Sequence, residues 1–408
     1  MDAEPQIHAG ITRLVRNVLD GETGPHPVWE ESPAARRVAA VRDRGRPSIR
    51  RGGRFLAVAA VLATGALTAA LVGGLVGGQP RFDGGLPPGI LAVAHTDGLD
   101  FAEPDGADRM PVLTDGPTFN PRWSPDGTHL AVSQLGRTDA NLLRILRRDG
   151  TTVGQAPGVF DFRWGPAGDR LAIHLGASNE IAIVDTTGRL VARPLLPEGA
   201  LTIGSFDWSP DGRRIVLAAC ADCDLGDPDA TAPYALWILD VSGGSPTDFL
   251  RSGGDRAPDP DRIGVFPAWS PDGSRIAYVV PGCADGSCTG FVRIVDASTG
   301  VRRAEAEEVI GGSDVSWSPD SRRLAFRADV DGQGEIFVAT ADMSTVARLT
   351  TSGDDDRMPV WRSDSDSLLF TRQVRDGGRL EVWATHADGT QQVRLVDDSY
   401  GAALQPTR

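Results

Sequence analysis

Lysine is missing from this 408-residue chain, so all 41 basic residues are arginine. A phosphate-binding loop of the form G-x-x-x-x-G-K-[ST] is therefore excluded. No G-x-S-x-G occurs, which removes the nucleophile elbow of an α/β-hydrolase. The six histidines, His8, His26, His95, His129, His174 and His386, form no H-E-x-x-H and no close pair. His129 and His174 read as equivalent packing or surface positions of successive segments. The formal charge of −14 argues against nucleic acid as a partner of the whole molecule. The 49 Gly and 29 Pro do not suit a helix-rich protein and punctuate strands and turns instead.

Charge is unevenly spread. Residues 1–54 carry a net +3 and the remainder −17. Between the two lies Phe55 to Gly78, FLAVAAVLATGALTAALVGGLVGG, 24 residues without a charge. That length spans a bilayer. A cleaved signal core has only about 7–15 apolar residues and starts near the N-terminus. Arg36, Arg37, Arg42, Arg44, Arg46, Arg50, Arg51 and Arg54 precede the run against Asp43 alone. Basic flanks stay cytoplasmic, so the expectation is a cytoplasmic segment 1–54, a transmembrane helix 55–78, a linker 79–89 and an extracytoplasmic domain 90–408 at the plasma membrane. Within residues 5–20, Ile7, Ile11, Leu14, Val15, Val18 and Leu19 recur at helical spacing and predict a short amphipathic helix before the Arg-rich linker.

One pattern repeats through the outer domain: RWSPDGTHLAV at Trp123, RWGPAGDRLAI at Trp164, DWSPDGRRIVL at Trp208, AWSPDGSRIAY at Trp269, SWSPDSRRLAF at Trp317 and VWRSDSDSLLF at Trp361. The Trp spacings are 41, 44, 61, 48 and 44, close to the period of a four-stranded propeller blade. Pro125, Asp126 and Gly127, with Pro210, Asp211, Gly212, Pro271, Asp272, Gly273, Pro319 and Asp320 in later copies, are turn residues. Proline presets φ, aspartate caps the turn backbone and glycine accepts positive φ. Each Trp ends a strand and is large enough to fill the gap between blades. The run after the turn, such as Arg214-Ile215-Val216-Leu217, reads as a buried strand. Residues 90–114 supply three strands without a Trp strand, and SYGAALQP at the C-terminus supplies a degenerate Trp strand with nothing after it. Joined, they complete one blade. The expectation is an all-β, seven-bladed propeller closed between its two ends, with six blades as the alternative.

The motif W-S-P-D-G-x-x-[IL]-A-[FYV] resembles the WD40-like (PD40) repeat of the TolB β-propeller family, over roughly residues 90–400. The resemblance implies a propeller that binds other proteins. TolB proteins carry an α/β domain before the propeller, whereas an apolar segment stands there in this chain. The same kind of repeat precedes the hydrolase domain of prolyl-oligopeptidase-like peptidases, whose nucleophile elbow is lacking here. In layout alone, the chain resembles membrane-spanning anti-sigma factors, without their H-x₃-C-x₂-C motif.

All four cysteines fall in the outer domain. Cys220-x-x-Cys223 and Cys283-x₄-Cys288 follow the strand after the turn in adjacent blades, so they belong to the same kind of loop on one face. An even number in an exported domain predicts disulfides. Three pairings are open, two local bridges being expected, with a four-Cys zinc site as the alternative. Acidic clusters at Asp224, Asp227 and Asp229, at Asp255, Asp259 and Asp261, and at Asp354, Asp355 and Asp356 match no calcium loop and read as solvated loops. No catalytic residue, metal site or cofactor is assigned. The expected function is a membrane-anchored scaffold in the cell envelope whose propeller face binds a protein or glycan. The alternatives are a transmembrane regulator with a cytoplasmic partner at residues 1–54, and a propeller-type hydrolase or lyase.

Overall fold

The computed structural model describes residues 89–135, 141–198, 200, 202–220, 235–249, 265–284, 287–305, 313–375 and 379–406, with backbone alone for 281–284, 287–289 and 313. The segments 1–54, 55–78 and 79–88, Cys223, and the clusters at Asp224 to Asp229 and Asp255 to Asp261 lie outside the described residues. Among the described residues no helix is long and apolar enough to cross a membrane. Every regular element among the described residues is a strand.

The strands form seven four-stranded antiparallel sheets. Blade 1 joins Ala402–Leu404 to Leu91–His95, Gly98–Ala102 and Met110–Leu113. Blades 2 to 7 each take four strands in chain order, beginning with Thr118–Trp123, Val159–Trp164, Thr202–Trp208, Val265–Trp269, Ser313–Trp317 and Asp355–Trp361. These first strands are innermost, since those of successive blades approach one another. The ring is closed by register: Leu404 faces Leu91, Ala403 faces Ala92 and Ala402 faces Val93. Seven blades therefore stand and the six-bladed alternative falls. Closure completes blade 1 and leaves the inner edges short and protected within the ring.

The repeated residues hold each blade to the next. The six Trp are buried at the inter-blade contacts. The indole of Trp123 donates to Ala403 O at 3.1 Å, Trp164 to Arg122 O at 2.8 Å, Trp208 to Arg163 O at 3.1 Å, Trp317 to Ala268 O at 3.0 Å and Trp361 to Ser316 O at 3.1 Å. Each acceptor precedes the corresponding position in the previous blade. Trp269 departs and donates to Gly273 O of its own turn. The first residue of each following strand then covers the next blade's indole. Arg170, Arg214, Arg275 and Arg323 lie 5.9, 5.0, 5.0 and 5.1 Å from the ring centres of Trp208, Trp269, Trp317 and Trp361. His129 takes this place over Trp164, at 6.3 Å. His174 does not share it: it sits four residues further along its strand, buried, bonded to Asn179.

The turns show why departures from Ser-Pro-Asp-Gly are tolerated. Gly127, Gly212 and Gly273 take φ of 68°, 67° and 76°. Ser321 and Ser365 occupy the same place at 60° and 59°. Their hydroxyls compensate, accepting the backbone N–H of Asp272 at 3.0 Å and Asp320 at 3.2 Å from the preceding blade. The turn aspartates accept the Ser hydroxyl and backbone N–H groups, as Asp211 does from Ser209 at 2.6 Å and Arg213 at 3.0 Å. Burial alone would raise Asp272, yet bonds from Ser270, Ser274 and Arg275 hold it at about 2. In the outer turns Thr340 and Ser344 hold Asp342 at about 2. A folded-state value below the ordinary one stabilises the native state above about pH 4, and that contribution is lost as pH falls towards 2. The melting temperature is accordingly expected to fall most steeply between pH 4 and pH 2. Asp272→Asn should flatten this dependence, and an unchanged profile in that variant would refute the assignment.

Candidate binding site: the central channel

Inner strands run from one face of the ring, where the second and third strands form hairpins, to the other, where the Trp and its turn lie. Cys220 ends the second strand of blade 4 on the hairpin face, opposite Thr202, and is disulfide-bonded. Cys283 and Cys288 are not in a loop as the sequence indicated. The second and third strands of blade 5 run through them, Arg275–Ala284 and Ser287–Asp296, and place Cys283 directly opposite Cys288. The ladder there continues past Val279, where pairing with the inner strand ends, so this hairpin stands beyond the inner strands.

Every described inner strand of blades 2 to 7 has an irregularity in its pairing, just before the Trp in blades 2, 5, 6 and 7 and three to five residues before it in blades 3 and 4. Asn120, Phe266, Asp314 and Met358 take positive φ there, between 52° and 55°. The bulges turn these segments out of the blade, and the residues placed there differ round the ring. Blades 2 to 4 contribute charge: Arg122, Asp161, Arg163 and Asp207. Blades 5, 7 and 1 contribute Phe266, Met358, Val360 and Ala403. Phe266, Met358 and Val360 are 42%, 55% and 50% exposed, and Phe160 of blade 3 is 44% exposed. All four stand on innermost strands, and Phe160 also packs edge-on against His174 near the hairpin face. Charge thus gathers in blades 2 to 4, with Asp314 in blade 6, while the exposed apolar side chains come from blades 5 and 7 and, as Phe160, from blade 3.

The charged residues are ordered. Arg163 grips Asp161 through Nη1 at 2.7 and 2.8 Å, and Asp161 also accepts Phe162 N–H at 2.8 Å. Burial alone would raise Asp161, but Arg163, Arg122 and that N–H bring it below the usual carboxylate range. Asp207 accepts Trp269 N–H at 2.8 Å, yet burial pushes its carboxyl up. Asp207 and Arg122 retain a little accessible surface, but protein surrounds them closely and desolvation dominates. Burial brings the Arg122 guanidinium down to about 10, Arg163 acting in the same direction and Asp161, Asp207 and Asp314 opposing. Those carboxylates belong to blades 3, 4 and 6, so the Arg122 charge is felt across the channel.

Of the acids read as a solvated cluster at Asp354 to Asp356, Asp354 and Asp355 are partly exposed and Asp356 is interior. Asp356 is fully buried and paired to Arg372, which donates through Nε at 2.7 Å and Nη2 at 2.8 Å. Asp355 is paired with Arg327 and Arg357. Among the described residues, no group of three His, Cys, Asp or Glu is placed to hold a metal ion. A depression of about 850 Å³ on the turn face, lined by residues including Ile90, Asp126, Arg147, Arg148 and Gln405, marks the closing seam. The channel residues were not singled out from sequence. The signal was present, since they are the variable positions next to an otherwise constant Trp.

Residues 226–405 match the TolB beta propeller domain family, PD40. Over 157 residues the chain is 34% identical to the Tol-Pal system protein TolB of Bordetella pertussis, covering 38% of this chain and 33% of that one. Over 138 residues it is 28% identical to a Bacillus subtilis protein described as uncharacterized peptidase YuxL, covering 33% of this chain and 21% of that one. The chain thus spans about a third of that TolB and a fifth of that peptidase. The β-propeller domain of the Trilobed protease from Pyrococcus furiosus superposes with a TM-score of 0.55 at 12% identity, over 79% of this chain and 97% of that one, a likeness of fold alone.

Proposed function

We propose that this chain, which carries a TolB-like seven-bladed propeller of the PD40 kind, is a scaffold of the cell envelope that binds another protein at its channel. The observation that carries the reading is the set of exposed apolar side chains at the inner strands, Phe160, Phe266 and Met358. Apolar groups grouped beside buried charge mark a binding surface. Residues 55–78 are the anchor in this proposal, with residues 1–54 on the cytoplasmic side. The chain enters the propeller at Gly89 and Ile90 on the turn face, where Ile90 N–H meets the Gln405 side chain. Local bridges Cys220–Cys223 and Cys283–Cys288 are part of the same proposal. The TolB likeness supports binding over catalysis.

The test is affinity purification from membranes through a C-terminal tag. It compares the full chain, a Phe160→Ser/Phe266→Ser/Met358→Ser variant and a version lacking residues 1–35. The expected result is an envelope protein captured by the full chain and the shortened version and at least tenfold depleted with the triple variant. A cytoplasmic regulator lost with residues 1–35 and unaffected by the triple variant would overturn the scaffold reading in favour of a sensor.

A further inference from the structure

Arg122 differs from the other charged groups of the channel. Arg163 is held by Asp161, Asp207 by a backbone N–H, and Asp314 accepts Met358 N–H at 3.3 Å. Arg122 donates only its Nε, to Asn120 Oδ1 at 3.0 Å, while its guanidinium lies 6.0 Å from the Phe162 ring centre. Among the described residues no carboxylate is within ion-pair distance of it. Its two Nη groups, the fork that matches a carboxylate, remain available in the channel. A ligand carboxylate meeting that fork would make two parallel charge-assisted hydrogen bonds.

We infer that the channel takes a monocarboxylate with an aliphatic body, its carboxylate on Arg122 and its body against Phe266, Met358 and Val360. Either a free carboxylic acid or the C-terminus of a peptide ending in an aliphatic residue has this chemistry. The inference rests on the reading of the channel as the binding site. Asp161, Asp207 and Asp314 surround the site and disfavour a second negative charge, which selects a monoanion. The apolar wall disfavours a hydrophilic body.

Calorimetric titration of the full chain in lipid nanodiscs tests it with four probes: 4-methylpentanoate, 4-methylpentanamide, and an acetylated pentapeptide ending in leucine as free acid and as amide. The expected result is that one or both acids bind at least tenfold more tightly than their amides. Arg122→Gln should abolish that preference while keeping the wild-type melting temperature. Val360→Asp, which leaves Arg122 in place, should weaken the acid at least fivefold. Preference for the pentapeptide acid identifies a protein C-terminus, and equal affinity of the two acids identifies a small carboxylic acid. Equal binding of acids and amides, no binding at all, or an unchanged preference in a folded Arg122→Gln protein would each overturn the inference. Partner capture that survives Arg122→Gln but not the triple apolar variant would sink this inference alone.

Discussion

A chain ending at Tyr400 is expected to lose the cooperative unfolding of the propeller and to melt at least about 10 °C lower. Only three residues of strand are removed, Ala402–Leu404, but they are the inner strand of blade 1. Without them Leu91 and Val93, both fully buried, face the channel on an unpaired edge. Trp123 loses the acceptor of its indole, Ala403 O. Gln405 joins the two sides of the seam, accepting Ile90 N–H at 3.3 Å and donating to Gly127 O at 2.5 Å. A buried donor left without its acceptor costs about 1–3 kcal/mol, and several are orphaned together. Scanning calorimetry and size-exclusion chromatography check the result. A sharp transition at the full-length temperature would show that blades 2 to 7 hold without the seam.

This closure was legible in the sequence because its parts are local. The turn signature, the Trp and the run of apolar residues after it recur at a blade-length spacing, stretched only between Trp208 and Trp269, and one incomplete copy at each end implies a joined blade. The channel was not legible in the same way. Arg122, Asp207 and Val360 occupy one position of the repeat, and their common feature is only that each precedes a Trp. Bringing Arg122 within reach of Asp314, nearly two hundred residues away, depends on the ring being closed. The bulges add to the difficulty, because they break the alternation from which strand facing is read. Cys283 and Cys288 read as loop residues because they follow the strand after the turn, yet the hairpin carries its ladder through both.

Replacing Asp356 by alanine is expected to destabilise the propeller by about 3–5 kcal/mol, because it leaves Arg372 buried without its anion. The two face each other in register on the inner and second strands of blade 7, with both oxygens of Asp356 bonded to one guanidinium. Arg372 is also stacked 4.4 Å from the Trp383 ring centre and 5.4 Å from that of Phe370, so it cannot easily turn out to water. The charge of the pair is not itself the source of stability, since an apolar pair of similar volume often does as well. The double variant Asp356→Leu/Arg372→Met is therefore expected to recover most of the loss, and Arg372→Met alone to be destabilised by leaving a buried carboxylate. Chemical denaturation of the four proteins completes the cycle. If Asp356→Ala unfolds at the wild-type midpoint, the carboxylate is solvated after all, as a run of three aspartates suggests when read without its partner strand.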